Sequence, residues 1–444
     1  MAEGLAYLHE TVEKLDRDGI RAIQRRKLAA LGDRLEQSPD WIRHFRQAGI
    51  RPRDLHDPSV LAQVPTLEKA DLHERYPFPM LTVAPTDVAR FFATSGTTGL
   101  PVLFGFTRHD LDHLLASQVA RQLVCIGLKP GDRAYQGYGY GLWIGGPAFD
   151  FGLLRLGATT FPVGPGRGEL VVEWMRDQAW AFASVSPLWM MTLVRIARSR
   201  GIDPKRDWSL RLAALGGQSV SQAFRDELEA ALPPGFRAHN TYGSTEAGGP
   251  VVSMSCPHSH RNDEMHLINE DTILTEILDP VTLAPALPGE VGEIVVTTLD
   301  KQASPVVRWR TRDLVRLSQR PYDCLCGRHG MPLIGRIIGR SDDMLKIRGV
   351  MVYPSQIEDV IASTPGTVKE AWQIYIDKPD QSHESITVSV EQQKDSNRPG
   401  GQLADVIAQR LRSRLGLKVI VEVHSEGVLP RYEAKARRVI VRKG

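Results

Sequence analysis

Short strand-like segments alternate with amphipathic helical segments through the middle of the chain, and this alternation constrains the fold more than any other feature. Residues 211–215 and 236–240 form short strand patterns that are followed by turns, and residues 221–232 between them have helical periodicity. Strands that alternate with helices of this length are typical of a parallel sheet with helices on both faces. The sequence therefore predicts an α/β fold.

Two changes of pattern predict the domain organisation. Residues 272–278 and 292–298 are β-rich without helices, so we expect a small β unit, at about 256–330, to be appended to the sheet. After residue 340 the pattern becomes that of a compact α+β domain. We expect a large N-terminal domain of residues 1–340, with parallel sheets covered by helices, and a small C-terminal domain of residues 341–444.

Composition excludes several classes of function. The 444 residues carry a formal net charge of +3, which argues against an electrostatic nucleic-acid binder. No apolar run approaches the roughly 20 residues that span a bilayer, and the N-terminus lacks the pattern of a signal peptide. Four cysteines in so long a chain do not make a disulfide framework. We expect a cytoplasmic protein, monomeric or homodimeric, with no nucleic-acid or membrane partner.

A loop rich in hydroxyl groups and glycines marks a candidate phosphate site. Residues 93–101 read Ala-Thr-Ser-Gly-Thr-Thr-Gly-Leu-Pro. Such a loop offers backbone N–H groups and hydroxyl donors to a polyphosphate, without a Cβ that would prevent close approach. It is not a Walker loop, because no Gly-Lys-Ser/Thr ends it.

Four further motifs follow this loop in order. They are Tyr242-Gly243-Ser244-Thr245-Glu246, Arg310-Thr311-Arg312-Asp313, residues 339–349, and Leu-Pro-Arg-Tyr-Glu-Ala-Lys-Ala-Arg-Arg at 429–438. In this order the motifs resemble those of the acyl-adenylate-forming superfamily, and within it the phenylacetate–CoA ligases and related aryl–CoA ligases. Arg-Thr-Arg-Asp, where other branches usually read Arg-Thr-Gly-Asp, points to this branch. The resemblance covers nearly the whole chain.

The resemblance implies that a carboxylate attacks the α-phosphate of ATP to give an acyl-adenylate. Two anions must meet, so fixed positive charge and N–H donors are needed where charge develops. Thr245 would bind the α-phosphate, Glu246 would ligate Mg²⁺, and Lys435 would bridge the substrate carboxylate and the α-phosphate. The other residues expected to contact the nucleotide are Ser95, Gly96, Thr97, Thr98, Gly99, Gly216, Gly217, Gln218, Tyr242, Gly243, Ser244, Asp313 and Arg340.

The resemblance also implies that the C-terminal domain is mobile. Asp342 matches the superfamily's hinge position, where the small domain is expected to rotate after pyrophosphate leaves. This rotation would withdraw Lys435 and open a channel for the thiol of CoA. Lys346, Arg348 and Gly349 are expected to line that channel.

Residues 138–146, hereafter the aromatic segment, interleave aromatic residues with glycines and predict a wall of the substrate pocket. Glycines allow the chain to approach a ligand closely, while rings supply apolar walls for a flat guest. Related aryl–CoA ligases carry a similar Tyr-Gly-Tyr-Gly-Leu-Phe element against the acyl group, so Trp143 replaces a smaller ring and favours a compact acid such as a benzoate. The residues expected to contact the substrate are Tyr138, Tyr140, Gly141, Trp143, Ala214 and Gly216.

Three of the cysteines predict a structural zinc site. Cys324 and Cys326 are separated by one residue, and Cys256 lies near His258 and His266. Three sulfurs and one imidazole make a closed tetrahedral zinc set, although the cysteines could also be reduced, buried thiols. The sequence around His266 matches the relatives, whereas His258 is nearer to Cys256, so both histidines stay candidates. A closed site leaves no position for substrate, so zinc would staple the β unit.

The resemblance implies an AMP-forming acid–thiol ligase that uses ATP, Mg²⁺ and CoA to convert a small aromatic acid into an aryl-CoA. Two alternatives stay open. A stand-alone adenylating enzyme would deliver the acyl group to a carrier-protein thiol or an amine. A weakly active paralogue would act as a ligand-binding protein, because Leu100 stands where most relatives have lysine and pyrophosphate contacts should weaken. Gln218 and Ala434 also depart from the usual Glu and Gly.

Overall fold

The computed structural model describes residues 7–74, 77–78, 80–94, 101–218, 220–342, 345–347, 350–378, 385–431 and 438–443. The α-helices of this part are α1 (Glu10–Glu13), α2 (Arg17–Leu35), α3 (Pro39–Arg46), α4 (Lys69–His73), α5 (Ala116–Cys125), α6 (Gly145–Leu156), α7 (Gly168–Asp177), α8 (Pro187–Ser199), α9 (Pro204–Asp207), α10 (Gln222–Ala231), α11 (Pro354–Ala362) and α12 (Gly400–Leu415). The strands of the N-terminal part are β1 (Arg90–Ala93), β2 (Leu103–Phe106), β3 (Arg133–Gln136), β4 (Thr159–Phe161), β5 (Phe182–Val185), β6 (Leu212–Leu215), β7 (Arg237–Ser244), β8 (Gly249–Met254), β9 (Glu264–His266), β10 (Ile273–Leu278), β11 (Val291–Thr298), β12 (Trp309–Arg316), β13 (Leu333–Gly335) and β14 (Gly339–Arg340). The strands that follow are β15 (Leu345–Ile347), β16 (Val350–Val352), β17 (Thr367–Lys378), β18 (Ser385–Gln392), β19 (Ile420–Ser425) and β20 (Val439–Lys443).

The predicted parallel sheet forms the centre of the large domain. Its eight strands run in the order β13-β9-β8-β7-β6-β5-β3-β4, and the five strands from β7 to β4 are parallel. Neighbouring residues of one strand enter opposite hydrophobic cores: Phe182 and Leu212 lie in one core, and Ala183 and Ala213 lie in the other. Both faces are therefore buried, as expected for a parallel sheet covered by helices, and the predicted α/β fold is confirmed.

A second, antiparallel sheet is appended to the first, as the β-rich segments predict. It has the strand order β10-β11-β12-β14. A separate hairpin of β1 and β2 flanks the glycine-rich loop, whose residues 95–100 lie outside the described part of the chain.

The helical segment that follows β2 begins with a reciprocal cap. The backbone N–H of Thr107 donates to the Asp110 carboxylate at 3.0 Å, and the backbone N–H of Asp110 donates to the Thr107 hydroxyl oxygen at 3.0 Å. Asp therefore replaces Glu in a capping box. The first turns, Asp110–Leu115, are wound as a π-helix that continues into α5.

The C-terminal α+β domain has its own hydrophobic core, formed by residues of β15–β18, α11 and α12. Its main sheet has the order β19-β18-β17-β20. The apolar pattern at residues 418–424 predicts a closing strand; this segment is β19, but it is not the last strand, because β20 follows and pairs in parallel with β17. The domain boundary expected between residues 340 and 341 stays a prediction.

Three ion pairs join the small domain to the large one. Arg195 at α8 contacts Glu370 of β17 at 2.5 Å, and Lys369 contacts Glu227 of α10 at 2.5 Å. Arg336, just before β14, bridges Asp263 at 3.0 Å and Asp359 of α11 at 2.5 Å. These ion pairs are partly exposed. They make the contact between the domains polar, whereas the core of each domain is apolar.

Candidate functional site

The predicted nucleotide and substrate residues gather at one edge of the parallel sheet. Tyr138 follows the carboxyl end of β3, Gly216 follows β6, and Thr245 follows β7. Ligands of open α/β sheets bind at the carboxyl ends of the strands. The topology therefore brings together three segments that are more than a hundred residues apart at their extremes.

Tyr242, Asp313 and Arg340, hereafter the Asp313 group, form the best-defined part of this edge. The Tyr242 hydroxyl donates to the Asp313 carboxylate at 2.6 Å, and Arg340 Nη1 lies 3.6 Å from Asp313 Oδ1. Asp313 and Arg340 are direct cross-strand partners of β12 and β14. Burial and the nearby Asp313 charge hold the pKa of Tyr242 well above its usual value, so this phenol stays a donor.

Two strands of this edge extend further than the sequence patterns indicate. Asp313 lies inside β12, because that strand continues to Arg316. Tyr242, Gly243 and Ser244 were expected after a strand, but they are the last residues of β7. The apolar patterns marked only the buried centre of each strand, and the half-buried ends have no such signal.

Arg312 has the left-handed backbone conformation that favours glycine, with φ of 66°. It lies where the register between β11 and β12 shifts, and its guanidinium group contacts Glu68 at 2.6 Å. Other branches of the superfamily usually have glycine at this position of the motif, and the positive φ supplies the physical reason. The bulge projects the neighbouring Asp313 toward Tyr242.

The remaining residues of the edge differ in exposure. Thr245 is buried, whereas Glu246 is half-buried and makes no hydrogen bond or ion pair with the described residues. A Cβ on Gly216 would lie 2.9 Å from Thr241 Cγ2, so only glycine fits closely there. Gly217 has a φ of 79°, and Gln218, which follows it, is half-buried.

The aromatic segment divides into one buried ring and two exposed ones. Tyr138 is only 6% exposed, stacks on Phe149 and donates to the carbonyl of Val185 at 2.7 Å. Trp143 and Tyr140 are 38% and 37% exposed. The Tyr140 hydroxyl donates to Asp150 at 2.5 Å. Tyr138 is thus anchored in the core beside Ala214 and Gly216, while the exposed rings border open space next to Gly141.

Several predicted residues lie outside the described part of the chain. These are Ser95, Gly96, Thr97, Thr98 and Gly99 of the glycine-rich loop, Lys435, and Arg348 and Gly349 of the expected CoA channel. Lys346 is described only as a backbone position in β15. Asp342, whose role as the hinge stays a prediction, is exposed and accepts two hydrogen bonds of 2.8 Å from the Arg340 guanidinium group.

The predicted metal ligands converge, and the histidine among them is His266. Cys256, His266, Cys324 and Cys326, hereafter the Cys–His cluster, have their ligand atoms within 4.8 Å of one another. Cys256 Sγ and Cys324 Sγ are 3.7 Å apart, too far for a disulfide. A tetrahedral zinc with Zn–S bonds of ~2.3 Å requires an edge of about 3.8 Å. His258 is exposed and outside this cluster.

The surroundings of the cluster orient its imidazole. His266 Nδ1 lies 2.8 Å from the carbonyl oxygen of Met331, and Nε2 lies 3.1 Å from Cys326 Sγ. If Nδ1 carries the proton, Nε2 presents its lone pair to the thiols, as in metal-bound histidines. Hydrogen bonds from the neighbouring thiols of Cys256 and Cys324 lower the pKa of the Cys326 thiol.

The cluster does not lie in the appended β unit, where the sequence analysis put it. His266 ends β9, a strand of the eight-stranded sheet, and β13 pairs with β9. The N-terminal segment covers the cluster, since the Tyr7 hydroxyl donates to the carbonyl of Cys326 at 2.7 Å. Arg328 and Glu13 form a buried ion pair of 2.7 Å next to it. The loop of Cys324 and Cys326 returns to the larger sheet, a long-range pairing that local patterns do not reveal.

Two features were missed from sequence. A cleft of about 500 Å³ lies against α2 and α5, and it is lined among others by His9, Arg34, His113 and Asp300. Lys301, in the loop after β11, is buried, and its ammonium group has no hydrogen-bond partner among the residues that the structure describes. A single lysine in a polar stretch carries no periodic signal, so only the fold shows that it is inside.

Comparison with known proteins supports the same fold and family. Residues 43–299 match the AMP-binding enzyme family and residues 349–443 match the AMP-binding enzyme C-terminal domain, so the fold and site define an AMP-binding enzyme. The chain is 35% identical to the phenylacetate–coenzyme A ligase of Thermus thermophilus, over 97% of this chain and 98% of that one. This chain belongs to the phenylacetate–CoA ligase family, and the expected class, the AMP-forming acid–thiol ligases, is confirmed.

Two solved structures of 2-hydroxyisobutyryl-CoA ligase share the fold. One, in the postadenylation state with R3-HIB-AMP, has a TM-score of 0.89 at 25% identity, over 99% of this chain and 93% of that one. The other, with 2-HIB-AMP and CoA in the thioesterification state, has a TM-score of 0.70 at 25% identity, over 100% and 94%. In the described part of this chain, no helix has the length and hydropathy needed to cross a membrane.

Proposed function

We propose that this protein activates a small aromatic carboxylic acid with ATP and transfers the acyl group from the adenylate to CoA. The observation that carries the proposal is the convergence of the Asp313 group with Thr245 and Glu246 at the carboxyl edge of the sheet. Its relatives support the same chemistry, because the Thermus thermophilus protein is named a phenylacetate–CoA ligase and the structural neighbour holds an acyl-AMP.

Each side chain of this edge has a role in the proposal that its chemistry allows. The Asp313 carboxylate is an acceptor only, so it suits both ribose hydroxyls of the nucleotide, with Tyr242 and Arg340 fixing its orientation. Thr245 offers its hydroxyl to the α-phosphate. The exposed Tyr140 and Trp143 rings would border the aromatic acid, and the bulk of Trp143 favours a benzoate over a longer phenylalkanoate.

Glu246 fits the proposed magnesium ligand. Its carboxylate is half-buried and has no hydrogen-bond or ion-pair partner among the described residues, and hard oxygen ligands suit Mg²⁺. The ion would neutralise phosphate charge during adenylation. Glu246 would hold it at the end of β7.

The Cys–His cluster fits a structural zinc ion. Three thiols and one oriented imidazole, all less than 9% exposed, make a closed set with no position for substrate. Zinc would therefore hold the loop of Cys324 and Cys326 against the edge of the large sheet, away from the reaction.

An acid panel tests the function directly. We expect pyrophosphate release with ATP, Mg²⁺ and at least one of benzoate, phenylacetate or 3-phenylpropionate, and an acyl-CoA detectable by mass spectrometry when CoA is added. Adenylation without a thioester would favour a carrier-protein or amine acceptor. No pyrophosphate with any acid would contradict the proposal and favour a ligand-binding paralogue.

Lys435→Ala tests the proposed division of labour between the half-reactions. We expect adenylation to fall by roughly a hundredfold or more, because a fixed cation at the reacting atoms is lost. Thioester formation from supplied aryl-AMP should survive, since Lys435 is proposed to leave the site before that step. Equal loss of both half-reactions would contradict the rotating-domain proposal.

A further inference from the structure

Lys301 lies at the end of a rigid loop beside the nucleotide edge. The Asp110 carboxylate fixes this loop by accepting from the backbone N–H groups of Gln302 at 2.7 Å and Ala303 at 2.9 Å. On the other side, the Gly105 N–H donates to the Ser304 hydroxyl oxygen at 2.9 Å. The Lys301 backbone therefore has little freedom, and its side chain enters the interior from a defined point.

The ammonium group of Lys301 is buried without a hydrogen-bond or ion-pair partner in the described part of the chain. The residue is 2% exposed, and Nζ has no partner within hydrogen-bonding distance. It lies over the rings of Phe106 and Phe104, 4.1 and 5.0 Å from their centroids. The surrounding cavity has only about 10 Å³ of free space, which is at the limit for one water molecule.

The nearest acidic groups do not neutralise Lys301 by contact. Asp110 raises the pKa of the lysine electrostatically, as does Glu246. However, the Asp110 carboxylate already accepts three backbone hydrogen bonds, from Thr107, Gln302 and Ala303. Burial is the larger influence and lowers the pKa of Lys301 to about 8, so the group still carries its charge at neutral pH.

Packing alone does not explain a charged side chain at this position. Desolvating an ammonium group is costly, and the two aromatic faces recover only part of that cost. Methionine has a similar length, would fill the same volume and would have no charge to desolvate. A residue that destabilises the fold where an apolar one would serve is typical of a functional site.

The neighbours of the ammonium group indicate where its charge acts. The same small cavity is lined by Ala247 and Gly248, the two residues that follow Glu246. In a low-dielectric interior a fixed charge acts over several ångströms with little screening. The sequence also has Leu100 where most relatives carry a lysine in the glycine-rich loop, so one expected cation is missing from the phosphate site.

We propose that Lys301 is a positioning residue for adenylation, whose buried ammonium group supplies fixed positive charge beside Glu246, at the triphosphate end of the nucleotide site. The inference rests on the proposed function and adds a residue to it. Lys301 acts on the half-reaction in which ATP is present. It has no part in thioester formation, when the pyrophosphate has left.

Neutral substitutions of Lys301 separate this role from a structural one. For Lys301→Met we expect pyrophosphate release to fall by roughly 10- to 100-fold, thioester formation from supplied aryl-AMP and CoA to stay at the wild-type rate, and the Tm to stay equal or rise. Lys301→Arg keeps the charge and should recover part of adenylation. Lys27→Met is the matched control. Lys27 of α2 pairs at 2.5 Å with Asp300, the residue that precedes Lys301, and we expect this variant to leave both half-reactions unchanged.

Wild-type adenylation in Lys301→Met would overturn the inference, and so would an equal fall of both half-reactions. If Lys301→Met does not fold, Lys301→Gln is used in the same way: adenylation should fall and thioester formation should stay at the wild-type rate. A wild-type protein that releases no pyrophosphate with any acid would instead overturn the proposed function, and this inference with it. The two failures are therefore distinguishable before any variant is made.

Discussion

The Cys–His cluster and the Asp313 group are both assembled from distant parts of the chain, but they differ in access. The four side chains of the cluster are between 0% and 7% exposed. The side chains of Asp313 and Arg340 are 16% and 32% exposed. The cluster is closed on all sides by protein, whereas the Asp313 group opens at the edge of the sheet, where Arg340 also contacts the exposed Asp342.

This difference indicates what each arrangement can do. Four buried side chains that fill all coordination positions of a metal ion can stabilise the fold, but they leave no position at which a ligand could exchange. A carboxylate that keeps an exposed side can accept further hydrogen bonds from the hydroxyl groups of a nucleotide while its protein partners stay in place. The first region should therefore control the stability of the large domain, and the second should control the affinity for ATP.

The largest expected effect is on the closed region. Cys326→Ser should reduce bound zinc, measured by elemental analysis, and lower the free energy of unfolding by roughly 4 kcal/mol or more, because loss of a structural metal is among the most destabilising changes. Cys125→Ala is the matched control: Cys125 is a buried cysteine of α5 that does not belong to the cluster, so zinc content should not change. Wild-type protein without metal would contradict the zinc assignment.

The next effect concerns the open region. Asp313→Ala should raise the KM for ATP by roughly 10- to 100-fold, the equivalent of one charge-assisted hydrogen bond of ~1.5–3 kcal/mol, with little change in Tm. Tyr242→Phe removes only the 2.6 Å hydrogen bond to Asp313 and should have a smaller effect on the same KM. A fall in Tm without a change in KM would mean that Asp313 supports the fold instead.

Much of the fold was predictable because its signals are local. The helix expected at 221–232 is α10, and the segments expected as strands at 272–278 and 292–298 are β10 and β11. One face of each element is buried, so apolar residues recur with the period of the helix or strand and can be recognised in the sequence. Strand β20 was missed because its register with β17 depends on a partner sixty residues away.

The candidate site was predictable where a motif carries it and not elsewhere. Asp313 and Cys326 belong to short motifs, so their residue types and spacing were enough. The choice of His266 over His258 needed the pairing of β9 with β13, since both histidines are near Cys256 in sequence. Lys301 and the ion pairs of Arg336 were not predictable, because a single charge reads as solvated surface until the fold buries or pairs it.

The smallest expected effect tests whether the polar contact between the domains favours one arrangement of them. This chain is closer to a relative in the postadenylation state, with a TM-score of 0.89, than to the same relative in the thioesterification state, with 0.70. We therefore expect the pairs of Arg195 with Glu370 and of Lys369 with Glu227 to belong to the first arrangement. Glu227→Gln with Glu370→Gln should slow adenylation a few-fold and leave thioester formation equal or faster, since exposed pairs contribute only ~0–1 kcal/mol each. Glu173→Gln is the control, because Glu173 pairs with Arg200 within the large domain.

Adding salt to the wild-type protein should shift the two half-reactions in the same way, because salt screens exposed ion pairs. If neither the substitutions nor the salt changes the ratio of adenylation to thioester formation, these pairs do not favour one arrangement of the domains.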